Sequence, residues 1–194
     1  MNMSKGCIIG LTVLAVIVVV ILIAAGFLFG QYNRIVTLDE NANAAWANVE
    51  TVLQRRFDLI PNLVNTVKGY ASHEKELLEE VTRLRSQWGK AQTVSQKAQA
   101  ASLLEGALGR LMVVVENYPD LKANQNFLAL QDELAGTENR ISVERRRYNE
   151  AVRAYNTRIR RIPTVFIANL FGFDRKTPFE ADEGAQQAPK VSFE

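Results

Sequence analysis

Few side chains in this sequence have the types that do chemistry. The single histidine, His73, stands beside Glu74, Glu76, Glu79 and Glu80. A histidine among carboxylates is the raw material of a metal site or an acid–base pair. No second ligand set accompanies it, such as the Glu-x-x-His repeats of di-iron bundles. Acids just after Ser72 are what the positive end of a helix attracts, with the Ser72 hydroxyl as cap. One histidine excludes a multi-histidine metal site, and any Ser-His-Asp or Cys-His mechanism would rest on it alone. The only cysteine, Cys7, lies in an apolar run, so the polar part of the chain has no thiolate site and no internal disulfide. No G-x-x-x-x-G-K, G-x-S-x-G, H-E-x-x-H or paired C-x-x-C is present. No catalytic, cofactor or metal residue is assigned.

Three other groups stand out by spacing. Arg56 falls on an apolar helix seam, where a buried guanidinium needs a carboxylate; Glu138 is the candidate partner, and snorkelling from the seam edge is the alternative. Tyr148-Asn149 and Tyr155-Asn156 repeat at seven residues, echoed by Tyr32-Asn33. They form either a polar ladder fixing helix register or two core tyrosines with exposed neighbours. Residues 140–161 carry eight arginines against Glu144 and Glu150, and run into "IPTVFIANLF". If the helices alternate up and down, Arg153, Arg158, Arg160 and Arg161 meet anionic headgroups while Phe166 and Phe171 enter the interface or a partner groove. The alternative is a solvated basic helix end, favourable with the dipole, and a segment folded onto the bundle.

These residues are positioned by long helices. Phe127, Leu134, Ile141, Tyr148, Tyr155 and Ile162 recur every seven residues. Leu130, Thr137 and Ala151 fill the three-residue offset, and Val152 and Ile159 widen the stripe. A second heptad runs through Ile35, Ala42, Val49, Arg56, Leu63 and Tyr70, widened by Trp46, Leu53, Ile60 and Val67, as a bundle helix requires. Pro61 predicts a kink there. Between the two, one helix is expected from Ser72 to about Trp88 and another from about Ser95 to Tyr118, ended by Pro119. Asn124 should cap the last helix and Pro163 end it.

Residues 6–30 contain no charge and no proline. Twenty-five residues at about 1.5 Å each cover roughly 37 Å, enough for a bilayer core of ~30 Å. The run is too long for a signal-peptide core, although Ala24-Ala25-Gly26 resembles a cleavage site. It is read as an uncleaved single-pass anchor whose direction Lys5 and Arg34 do not decide. The domains expected are this anchor (1–30), a helical bundle (31–173) and an irregular tail (174–194) that Phe179 and Phe193 tether. With 23 basic and 21 acidic residues, nothing in the overall charge calls for nucleic acid.

The chain resembles the LemA family of bacterial membrane proteins. The resemblance rests on Tyr32-Asn33, "RRFDLIPNLVNTVKGYA", "ENYPDLKAN", "LQDELAGTENRI", "RRRYNEAVRAYN" and "PTVFIANLFGF". It implies an anchored antiparallel bundle in the bacterial cytoplasmic membrane. Some relatives are linked to magnetosome membrane formation, which implies a role in membrane organisation. The expectation is an all-α protein: an N-terminal transmembrane helix, then an antiparallel bundle of three or four long helices. Its expected work is that of a non-enzymatic scaffold or adaptor without cofactor, bound to the bilayer and to an unidentified protein partner. The alternatives are a homo-oligomeric membrane-shaping assembly factor, and an enzyme or regulator of a membrane enzyme.

Overall fold

A computed structural model describes residues 5–71 and 73–179. They form six helices and no strand: α1 (Lys5–Lys68), α2 (Lys75–Lys90), α3 (Val94–Val115), α4 (Pro119–Lys122), α5 (Gln125–Ile159) and α6 (Thr164–Phe171). The all-α class is the one expected.

The 64 residues of α1 form a single helix. Its most apolar stretch, near the N-terminus, is long enough to cross a membrane and contains no buried residue. That is compatible with a membrane location. Helix α3 passes the same test of length and composition, but Leu104, Ala107, Leu108, Leu111 and Val115 are buried, so its apolar character belongs to the core.

The helix does not stop at Pro61, which lies within α1. Proline has no N–H for the carbonyl four residues back, here that of Phe57. Arg85 Nε, from α2, donates to that carbonyl at 3.1 Å. A side chain thus replaces the missing backbone donor, and the helix runs on to Lys68.

The described chain forms two compact units. The second, Asn43–Val152 with the tail from Thr177, contains most of the core. Val49, Leu53, Phe57, Ile60 and Leu63 of α1, Val81, Leu84 and Trp88 of α2, Leu104 and Leu111 of α3, and Phe127, Leu134 and Ile141 of α5 are all buried there. Phe57 stacks on Trp88, centroids 4.4 Å apart and planes at 14°. The helices alternate in direction: Trp46 meets Tyr148 while Arg56 meets Glu138, and Glu74 meets Tyr118 while Glu80 meets Arg110. In this unit the bundle therefore has four longer helical segments, with the short α4 between α3 and α5.

The first unit comprises residues up to Ala42 with Arg153–Lys176. Its core is small: Ile35, Tyr155, Ile159, Ile167 and Ala168, with Tyr32, Leu38 and Phe173 packed against them. Gly172 ends α6 at φ 72°, a left-handed conformation glycine adopts freely, and Phe173 N–H then reaches the Ala168 carbonyl at 2.9 Å.

Several boundaries differ from those read in the sequence. Helix α2 begins at Lys75, with Glu74 at the cap position and no side-chain cap; Ser72 lies outside the described residues. Helix α3 ends at Val115 rather than Tyr118, and the proline expected only to stop it opens the short α4, where its lost N–H has no intrahelical partner to lose. Helix α5 ends at Ile159, so Ile162 leaves the heptad and is 81% exposed. Tyr70, beyond the end of α1, is also exposed. Asn124 does cap α5, its Oδ1 accepting from the N–H groups of Asn126 and Phe127 at 2.9 and 3.1 Å.

Candidate functional site

The two Tyr-Asn pairs on α5 bond to the tail. In the first unit, Tyr155 Oη donates to the Asp174 carbonyl at 2.9 Å. Asn156 Nδ2 donates to the Lys176 carbonyl at 2.8 Å, and its Oδ1 accepts from Lys176 N–H at 2.9 Å. Lys176 Nζ lies 3.0 Å from Asp39 Oδ1 and 5.4 Å from the Tyr155 ring centroid. Burial, then the Asp39 carboxylate, pushes the Tyr155 phenol up to about 12.

The second unit repeats the pattern. Tyr148 Oη donates to the Thr177 carbonyl at 2.9 Å, and burial raises its pKa. Asn149 Nδ2 donates to the Phe179 carbonyl at 3.0 Å while its Oδ1 accepts from Phe179 N–H at 2.7 Å. Phe179 is buried, with the Arg145 guanidinium 4.3 Å from its ring centroid and the Trp46 ring 6.2 Å away.

An asparagine amide that faces both N–H and C=O of one residue pairs with it as a neighbouring strand would. Each asparagine therefore fixes one residue of the tail on α5. Sequence reasoning named the residues but not this partner; Phe179 was named as a tether, while Phe193 lies outside the described residues.

Arg56 is 7% exposed, and its Nη1 donates to Glu138. Its Nε is buried without a partner. Beside it Arg55 donates through Nε and Nη2 to Glu133, at 3.1 and 2.7 Å. Each arginine thus has its carboxylate on α5, an arrangement that orients helices.

The arginine-rich end divides in two. Arg158 is half-buried and donates to Gln31, the first residue after the apolar stretch. Arg153, Arg160 and Arg161 are exposed. Helix α6 buries Thr164, Ile167 and Ala168, and exposes Phe166, Leu170 and Phe171. The Phe171 and Phe173 rings lie 4.8 and 5.7 Å from that of Tyr32.

His73, Glu74, Glu76 and Glu80 line an open groove of about 860 Å³ with Gly106, Gly109 and Arg110. Among the described residues no three His, Cys, Asp or Glu side chains converge as metal ligands. Glu80 pairs with Arg110 at 2.7 Å, and Glu74 accepts from Tyr118 Oη at 2.9 Å, which raises the tyrosine pKa.

This geometry binds helices and a tail together. A LemA family profile matches residues 45–193. The chain belongs to the LemA family. Magnetosome protein MamQ 2 of Paramagnetospirillum magneticum is 29% identical, over 92% of this chain and 75% of its own length. Magnetosome protein MamQ of Magnetospirillum gryphiswaldense is also 29% identical, over 75% of this chain and 63% of its own length. Protein LemA of Metamycoplasma hominis is 24% identical, over 79% and 71%. The LemA match begins at Ala45, so it takes in both Tyr-Asn pairs and Phe179 and omits the apolar stretch of α1.

Proposed function

We propose that this LemA-family protein is a non-enzymatic, membrane-anchored scaffold. It crosses the bacterial cytoplasmic membrane once and presents its bundle to a protein partner or to the bilayer surface. The observation that carries this is the continuity of α1: one helix has an uncovered apolar stretch at its start and core residues such as Phe57 and Leu63 towards its end. An apolar surface of that size is stable in lipid and costly in water. Of the carboxylates near His73, Glu80 is engaged by Arg110 and Glu74 by Tyr118. The names of the relatives are not enzyme names.

The test is membrane extraction at alkaline pH, followed by impermeant thiol labelling of Ser95→Cys in a Cys7→Ala background. Retention of the full chain in the membrane pellet, with release of a Val16→Arg/Val20→Arg variant, supports the anchor. Release of both removes it. Labelling before or after lysis then says on which side a partner is to be sought. A second interpretation, a homo-oligomeric membrane-shaping assembly, is favoured by the two relatives named as magnetosome proteins. It requires the purified protein to self-associate with concentration, and a strict monomer in sedimentation would sink it.

A further inference from the structure

Helix α6 is apolar on both sides. Thr164, Ile167 and Ala168 face the small core of the first unit, while Phe166 (67% exposed), Leu170 (78%) and Phe171 (58%) form an outer side that the described residues leave largely exposed. Asn169 is the only other polar residue among its eight. A helix apolar all round belongs in a core or in lipid. Its position within the unit says which. Tyr32, whose ring meets those of Phe171 and Phe173, stands two residues after the apolar stretch ends at Gly30, about 3 Å along the helix axis. That is the depth at which a spanning helix leaves the hydrocarbon and aromatic side chains gather. Charge agrees: Arg160, Arg161 and Arg34 are all exposed in this unit.

We propose that α6 lies in the plane of the bilayer that α1 enters. Phe166, Leu170 and Ile162 sit at the boundary between headgroups and acyl chains, and Arg160 and Arg161 lie against lipid phosphates. The inference rests on α1 being a membrane anchor, and goes beyond it by giving the first unit a second, lateral lipid contact. The occupant is phospholipid because the exposed face adjoins the membrane exit of its own chain and is flanked by cations.

The experiment uses the full chain in proteoliposomes, Cys7→Ala, with an environment-sensitive dye at one of four cysteines: Leu14→Cys, Phe166→Cys, Leu170→Cys or Val113→Cys. Val113 is 71% exposed on α3 and serves as a solvent-facing apolar reference. The expected result is quenching at positions 14, 166 and 170 by nitroxide-labelled lipid, and quenching at 113 by aqueous iodide. Arg160→Glu/Arg161→Glu should then lose much of the lipid quenching at 170 while leaving that at 14 unchanged. Iodide quenching at 166 and 170 with lipid quenching at 14 overturns the inference and leaves the anchor intact. Iodide quenching at 14 as well overturns both. Shielding of 166 and 170 from lipid and iodide alike means a protein covers α6, and also overturns the inference. Unchanged quenching in the double glutamate variant removes the phosphate contact.

Discussion

The two units draw on the same two helices, α1 and α5, yet they treat apolar surface differently. The second unit buries it and stitches the helices together with ion pairs, among them Arg55–Glu133, Arg56–Glu138, Arg110–Glu80 and Arg145–Glu105. The first gathers Ile35, Tyr155, Ile159, Ile167 and Ala168 into a small core and leaves Ile162, Phe166, Leu170 and Phe171 outside. The second unit leaves Leu103 and Val113 exposed as well, but its buried core is far larger than that of the first.

The largest test of that contrast is Arg56. Removing one member of a buried ion pair costs about 3–5 kcal/mol. Glu138 keeps 35% of its side-chain surface, so Arg56→Ala should fall near 3 kcal/mol in denaturant unfolding of detergent-solubilised protein. Arg56→Met should cost less, since an apolar side chain leaves no unpaired charge on the seam. Equal losses would mean the stem matters more than the charge. Arg160→Ala in the first unit should leave stability within about 0.5 kcal/mol.

The tail contacts come next. Asn149→Ala and Asn156→Ala each delete two hydrogen bonds, at about 1 kcal/mol apiece. Hydrogen exchange should show the Phe179 amide losing protection in the first variant and the Lys176 amide in the second. Simultaneous loss of both in either variant would make the tail one cooperative piece instead of two independent clasps.

The Pro61 repair, confined to the second unit, is smaller again. Arg85→Met strands the Phe57 carbonyl and should cost about 1–2 kcal/mol. In a Pro61→Ala background the same change should cost less, because the helix regains its own donor. Additive costs would show that Arg85 acts elsewhere.

The smallest effect is set by pH and belongs to the first unit. The Tyr155 phenol titrates near 12 when folded, against 10 for an ordinary tyrosine. The folded state therefore favours the neutral form: its contribution is complete below pH 10 and is lost as pH rises towards 12. Tyr155→Phe should flatten the fall in stability across that window, and an unchanged slope would assign the fall to other groups.

The heptads were legible because a period of seven is a property of sequence, and Leu134, Ile141 and Tyr148 keep it in the buried core. The Asn124 cap was legible because its bonds reach only two and three residues ahead. Local chemistry also foresaw that Pro61 removes a hydrogen bond. It also carried the helix on past Pro61, but it did not foresee the replacement donor, Arg85, which sits 24 residues later on another element. The arginine run has the same limit: Arg158 and Arg160 look alike in sequence, but one turns to Gln31 and the other to solvent. The signal for Asn149 and Asn156 was their seven-residue spacing, and the missing part was an aperiodic tail that shows no pattern of its own.

The clasp has a consequence for how this chain tolerates change in length. Each asparagine is a mark at which one tail residue is read through both its N–H and its C=O, Phe179 by Asn149 and Lys176 by Asn156. One residue added between Lys176 and Phe179 would move Phe179 off its mark and turn its ring to the opposite side. The same residue added within the loop before Thr164 would leave every mark in place. Length here is a specification.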